Sequence, residues 1–565
     1  MFVCVLALIY ISVLAFIYGS ATVRLFHRLL GLEHEPDVPI ALTNITGLIV
    51  LAILAGYLSF FLKIGLWANV LVATAAVIIY FLYRTEIHRN ILLLIRNANR
   101  VRPSIWIIFI LVCALVIIEG ADVPKVGDSG LYHIQTIKWI ESYRAVPGLG
   151  NLHSFFAWNS MWYPLLALFG FSFFGIQFLH VVNGAFYLFA LAFFLGGVTE
   201  ILNGEYRVTS LVKAAAIPFS LFVYKPQIGS PATDLPAALL VWIALLIILE
   251  KRNLPFQPDV QTAISLIISI YAVTVKLSVL PVLLLWIFIF YRQYRSVHFA
   301  RIGLRAVLIT AILIPWIGRN IILSGYLVYP IATVDLFNVD WKLPYLYVLQ
   351  ERLATQGWAR LPGPEWRASL DMPLSKWVAN WYGWLPYHYK RVVTTTALIT
   401  FVHLGTIASH PGNSLRQIKR SDALMLVYLT ACLGILYWFT SAPDPRFGFG
   451  FIFFALILPI TTLMRWFITR YPAAARLIML SILLVYILNH VFLSIRYLPK
   501  NANILVLPAP YPTMALETKI IDNFVFYFPI TTDQCWYAPL PCMPVLNDGL
   551  QLRGTSLQEG FRIAN

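Results

Sequence analysis

Apolar runs of roughly 17–25 residues, the length that crosses a hydrocarbon core, recur along almost the whole chain. They fall at 2–19, 41–63, 67–83, 104–119, 177–200, 208–224, 234–250, 260–273, 277–291, 303–318, 392–408, 422–440, 447–464 and 475–495. Each predicts a helix, about fourteen spans in all. The apolar piece 161–174 is shorter and reads as a partial or re-entrant helix, with a full span as the alternative. The stretch 260–291 reads as two short spans hinged near Lys276. After the run 104–119 the pattern changes. Leu131, Ile134, Ile137, Ile140 and Tyr143 recur at helical spacing, with Gln135, Lys138 and Glu141 on another face. That periodicity predicts a short amphipathic helix lying in the membrane interface. No repeat of solenoid length stands out. The expected fold class is therefore an all-α polytopic membrane protein whose large first outer loop carries interfacial amphipathic helices.

Composition agrees: 60% of the 565 residues are hydrophobic and 12% charged, against about a quarter charged in soluble chains. Mean hydropathy is +0.77. The first run, Phe2 to Tyr18, lacks a charged leader and a small-residue cleavage site, so it is expected to be a retained span.

A net charge of +16 would suit nucleic acid if it were clustered on a soluble face. Instead Arg and Lys occupy short segments between apolar runs: Arg84, Arg89, Arg96, Arg100 and Arg102; Lys251 and Arg252; Arg292, Arg295, Arg301 and Arg305; Arg416, Lys419 and Arg420; Arg465, Arg470 and Arg476. Loops retained on the cytoplasmic side carry this bias, and no nucleic-acid partner is expected. With these segments inside, both chain ends fall outside. So do the loop 120–160, the 225–233 turn, Lys276, the loop 319–391, the 441–446 turn and the tail 496–565.

The candidate chemistry collects on that outer side. Asp128 stands at the start of the amphipathic helix. A carboxylate there suits an N-cap, or a general base taking the proton of an acceptor hydroxyl. Asp234 opens a span, and Lys276 interrupts an apolar stretch, where an ionisable group marks function or a snorkelling side chain. Arg319 and Arg446 close the set as phosphate-binding cations or interface anchors. His133 and His153 lie in the first outer loop as further substrate-binding candidates. No His-x-x-x-His or Cys-x-x-Cys spacing supports zinc, and no Gly-rich nucleotide signature or nucleophile elbow is present.

These residues resemble the GT-C superfamily of polytopic glycosyltransferases, which use polyprenyl-phosphate-linked sugars. Asp128 and helix 130–143 match that family's first outer loop, and Thr233-Asp234-Leu235-Pro236 its Thr-Asp-x-Pro-like element. Lys276 matches a Lys-containing break between two short spans. Pro315-Trp316, Arg319-Asn320, Gly325 and Tyr329-Pro330 match a third element, and Arg446-Phe447 a late outer Arg before an aromatic. The stretch Asp128-Ser-Gly-Leu-Tyr-His133 and the tail Asp533-Gln534-Cys535-Trp536 with Pro541-Cys542 are also similar to a group of uncharacterised bacterial membrane proteins.

The resemblance covers 104–464 and implies transfer of a sugar from a polyprenyl-phosphate donor to a glycan, lipid or protein acceptor, at the outer face of a bacterial inner membrane, for cell-envelope polysaccharide synthesis. Asp128 is then the base, and His133, His153, Asp234, Lys276, Arg319 and Arg446 bind substrate. The motif lacks the second acidic residue the family often places near the first, so a divalent cation finds few ligands and no cofactor is assigned. Three apparent spans precede the span 104–119 that leads into the loop, where the family commonly has one span in all. The chain divides accordingly into extra helices and a basic loop (1–103), the GT-C-like module (104–464), a last span (465–495) and an extracytoplasmic tail (496–565). The rival readings are an O-antigen polymerase- or ligase-like enzyme and a lipid-linked-saccharide transporter. In the tail, Cys535 and Cys542 are a disulfide candidate if that side is oxidising, or otherwise a pair of free thiols.

Overall fold

The computed structural model describes residues 1–32, 38–251, 259–293, 299–409, 423–499 and 502–564. The basic positions Arg252, Arg295, Arg416, Lys419 and Arg420, and the side chains of Arg292 and Arg301, lie outside the described residues. The chain is a helical membrane protein with a small β-containing unit at its carboxy-terminal end. Among the described residues ten helices are long and apolar enough to cross a membrane. The expected segment 67–83 is the helix Leu66–Leu82, which meets Arg84–Ala98 at 89° as one bent pair. The segments 234–250, 260–273 and 277–291 form shorter helices, Asp234–Glu250, Val260–Val275 and Val282–Gln293.

Burial sorts these helices into inner and outer. Asp234–Glu250 is buried on every face from Asp234 to Leu249, which its all-round apolar sequence permits only where other helices surround it. Tyr387–Ser409 and Pro472–Arg496 bury 6% and 22% of their most apolar windows and present the rest outward. Where Phe2–Leu29 crosses Ile40–Leu58, glycines let the backbones touch. A Cβ on Gly47 would sit 1.8 Å from the Ala15 carbonyl, and one on Gly19 1.9 Å from that of Thr43. Small residues at such crossings are what membrane helices use to pack closely.

The two ends of the bundle differ in charge. At one end the Met1 ammonium donates to the Ile504 carbonyl at 2.7 Å and Val3 N–H to Val506 at 3.2 Å, so the amino terminus lies with the tail. At the other end Arg24 pairs with Glu86 at 3.1 Å, Arg102 reaches Asn203 at 3.3 Å, Arg476 caps Leu202 at 3.2 Å and Lys213 pairs with Glu250.

Three segments are more structured than the sequence alone indicated. The basic segment 84–102 is largely helix, Arg84–Ala98, because Ile87, Ile91, Leu94, Ile95 and Ala98 align one face of it. The tail 496–565 is folded. Leu516–Ile521 (β1) pairs antiparallel with Phe524–Pro529 (β2), and Leu550–Leu552 (β3) with Phe561–Ile563 (β4). Phe526, Phe528, Met543, Leu550, Leu552 and Phe561 form a core there with Trp139, Val146 and Leu152 of the first outer loop. Finally, the amphipathic element splits into a π-helical turn, Ser129–His133, and an α-helix, Ile134–Ser142. Its polar face is covered by the tail, since Gln135 donates to the Trp536 and Ala538 carbonyls and Lys138 to those of Tyr537 and Ala538. The apolar piece 161–174 contains only the short helix Trp162–Leu168 and a further turn, Ser172–Phe174.

Candidate functional site

Five of the seven residues singled out from sequence gather in one place, two of them, Lys276 and Arg446, against one aromatic ring. Asp128 directly precedes the π-helical turn and makes no side-chain capping bond, so the N-cap reading fails. Its carboxylate instead accepts from Arg446 Nη1 at 2.9 Å. Arg446 Nε donates to Asp444 at 3.0 Å, and the Asp444 carboxylate also accepts the Arg446 backbone N–H at 3.1 Å. Asp444 thereby caps the helix Pro445–Arg470, with Pro445 in its first turn. The arginine lies 5.0 Å from the centroid of Phe447, and the Lys276 ammonium 4.0 Å from the same ring.

Lys276 breaks the stretch between Val260–Val275 and Val282–Gln293 in extended conformation. Its ammonium is paired with Asp234, the first residue of Asp234–Glu250, so it is not a snorkelling side chain. A buried carboxylate such as Asp234 needs such a partner, and Gln227 donates to it as well, at 3.3 Å. Asn183 holds the turn before Asp234 by donating to the carbonyls of Gln227, Ser230 and Ala232 at 2.7–3.0 Å. The Ser129 and Ser230 hydroxyls, 3.0 Å apart, join that turn to the one carrying Asp128.

Electrostatics separate two roles. Burial pushes the Asp128 carboxyl up, but the positive charge around it, foremost the Arg446 guanidinium with Lys276 beyond, holds the group below the usual carboxylate range. His133, buried next to this pair, is pushed down to about 4 by burial and is neutral at physiological pH. Its Nδ1 has no hydrogen-bond partner, and its ring meets Tyr132 at 4.4 Å and Tyr163 at 5.8 Å. The Asp128 and Arg446 side chains keep about a third of their surface exposed, 31% and 34%. That is enough for a ligand to reach both.

Arg319 and His153 stand elsewhere. Arg319 is 3% exposed and donates to Ser59 Oγ at 2.8 Å and Asn159 Oδ1 at 3.2 Å. Asn159 and Trp316 are tied by reciprocal bonds of 2.8 and 3.0 Å. Arg319 thus fastens the 159–163 segment to its own helix rather than meeting Asp128. His153 Nδ1 accepts the Phe155 N–H at 3.2 Å, and the ring packs on Phe155 and Phe156. Cys535 and Cys542 are joined as a disulfide.

A divalent cation does not fit these residues. Asp128 and Asp234 are each engaged by a cation of the protein. Among the described residues no three His, Cys, Asp or Glu side chains come together as ligands.

Sequence reasoning named Phe447 only as the aromatic after Arg446, and it missed Asp444, Gln227 and Asn183. Asp444 was signalled by Asp-Pro at a helix start, the pattern of a capped N-terminus. The other two carry no local signal.

The family model of a domain of unknown function, DUF8201, matches residues 1–453. The chain belongs to that family. The DUF8201 match takes in Asp128, Asp234, Lys276 and Arg446, and the folded tail lies beyond it. No curated protein and no solved structure matches the chain.

Proposed function

We propose that this DUF8201 protein is a GT-C-like glycosyltransferase of about fourteen spans, moving a sugar from a polyprenyl-phosphate donor to an acceptor hydroxyl at the extracytoplasmic face of a bacterial inner membrane. The observation that carries the reading is the contact of Asp128 with Arg446 beside the Lys276–Asp234 pair. It sets a carboxylate base and two cations around one partly open point.

In this reading the donor phosphate enters at Arg446 and competes with Asp128 for the guanidinium. Asp128 is ionised beforehand, and losing that contact raises its basicity as the donor arrives. The carboxylate removes the acceptor proton, the acceptor oxygen bonds to the anomeric carbon, and the bond from that carbon to the phosphate oxygen breaks. The lipid phosphate leaves with the electron pair, its charge met by Arg446 and Lys276. Neutral His133 is enclosed beside the Asp128–Arg446 pair and packs the site on Tyr132 and Tyr163. A 310 Å³ cavity is lined by Phe222, Tyr387, His388, Arg391, Val392, Thr395 and Leu456, and Tyr389 next to His388 packs on Phe449, three residues along the helix from Arg446. The apolar wall of the cavity suits the isoprenoid chain.

Charge supports the choice of side. The arginine-rich end of the bundle is the one expected to stay in the cytoplasm. The Asp128 turn is bonded to the tail, which also holds the amino terminus, so the centre falls on the opposite face.

The deciding experiment supplies labelled polyprenyl-phosphate sugar to membranes containing the protein or Asp128→Asn. Transfer by the parent and its loss in the variant, with donor binding retained, supports the reading. Undiminished transfer by Asp128→Asn removes the base.

A further inference from the structure

The tail beyond the family match reaches back to the candidate centre through one short loop. Cys535 and Trp536 both donate their backbone N–H to the Gly130 carbonyl, each at 2.9 Å, and Gly130 is two residues from Asp128. The approach is so close that a Cβ on Gly130 would lie 2.6 Å from the Trp536 ring and 2.7 Å from Gln534 Oε1. Further along, the Lys138 ammonium binds the Tyr537 and Ala538 carbonyls at 3.0 and 2.8 Å and sits 4.2 Å from the Tyr537 ring centroid. Gln135 donates to the same loop twice, at 3.0 Å.

The other end of the loop is anchored in the sheet of the tail. Tyr527 N–H donates to Pro541 at 3.0 Å and Met543 N–H to Tyr527 at 3.2 Å, placing Cys542 alongside β2. The Cys535–Cys542 disulfide therefore links the sheet covalently to the residue that grips Gly130.

We propose that the disulfide-closed loop Cys535–Cys542 is a positioning element for Asp128, holding the turn Ser129–His133 by the Gly130 carbonyl so that reduction of the disulfide slackens the centre while the membrane helices stay folded. The physical ground is that the Asp128 side chain has no capping bond and one arginine partner, so its position follows its backbone turn, which the Ser129–Ser230 bond and the loop's grip on Gly130 hold. A displacement of about 1 Å at a reacting group can lower a rate about a hundredfold. This inference rests on the glycosyltransferase reading for its kinetic arm and is independent of it for its mechanical arm.

The test reduces the folded protein in lipid nanodiscs with a membrane-permeant thiol. It then follows amide hydrogen exchange at residues 129–138 together with sugar transfer from labelled polyprenyl-phosphate donor. Reduction is expected to speed exchange at 129–138, leave the helices Val182–Leu202 and Pro445–Arg470 protected, and lower kcat by roughly tenfold to a hundredfold with donor KM little changed. Lys138→Met should reproduce both changes without touching the disulfide, and Lys138→Arg should restore them. Unchanged exchange at 129–138 on reduction overturns the proposal, and so does faster exchange with undiminished kcat. If the oxidised protein transfers no sugar yet exchange still rises on reduction, the glycosyltransferase reading falls and the coupling of the loop to the Asp128 turn stands.

Discussion

Arg446 and Arg319 both entered as outer-side cations suited to phosphate, and the structure gives them opposite surroundings. Arg446 is a third exposed and lies between the carboxylates of Asp128 and Asp444. Arg319 is enclosed and bonded to neutral oxygens of Ser59 and Asn159. A guanidinium held by two carboxylates next to solvent can exchange one of them for a ligand anion. A guanidinium sealed among neutral partners cannot do so without opening the packing around it. The difference teaches that the same residue type, at the same side of a bundle, can be open to exchange in one place and a fastener in the other. Exposure and the charge of the partners decide between them.

The comparison can be broken most directly at the exchangeable arginine's partner. Asp128→Asn should lower kcat by roughly 10²–10⁴ while donor binding and thermal stability hold, as measured by transfer and by lipid-analogue binding. Arg446→Ala comes next, with an expected loss of roughly 10²–10³ in kcat/KM, and Arg446→Lys should recover part of it as a point charge without the planar fork. If Arg446→Ala were as active as the parent, the distinction drawn here would collapse. Arg319→Met should behave differently, leaving Ser59 and Asn159 without their donor and costing about 1–3 kcal/mol of stability. It should leave kcat and KM per folded molecule unchanged, and a selective loss of donor affinity would move Arg319 into the site.

The smallest effect concerns an acidic counterpart of Arg319. The carboxylate oxygens of Glu141 are shielded from solvent beneath the tail, faced by Lys138 on the same helix, by Tyr511 and Tyr537 of the tail, and by Ser172. Burial pushes its pKa up to about 8. A folded-state value above the unfolded one favours the folded form fully below the unfolded pKa, and that contribution is lost as pH rises through about 8. The parent should therefore lose a few degrees of Tm between about pH 6 and about pH 9 relative to Glu141→Gln. Parallel curves for the two proteins would show that the carboxylate is already ionised.

Much of this architecture was legible one residue at a time. Runs such as 104–119 and 447–464 announce helices because a membrane admits no unpaired backbone. Lys276 announced a break, because an ammonium in an apolar stretch needs a partner. The pairing itself was not legible. Asp128 and Arg446 are separated by 318 positions, and nothing local at either end names the other. Arg319 looked equivalent to Arg446 because sequence shows side and type but not enclosure. The tail's fold was not legible, since its order comes from two short strand pairs and from packing on Trp139 and Val146 of a distant loop.

By itself, then, the sequence determined a polytopic helical protein with its arginine-rich segments gathered toward one end and its acidic and cationic candidates toward the other. Those properties follow from hydropathy and charge counted along a line. Only the tertiary structure decided which carboxylate meets which cation, that Phe447 lies beside both Lys276 and Arg446, and that the tail closes over the turn after Asp128. Each of those is a contact between residues far apart in the chain, and such contacts are set by the packing of the whole bundle.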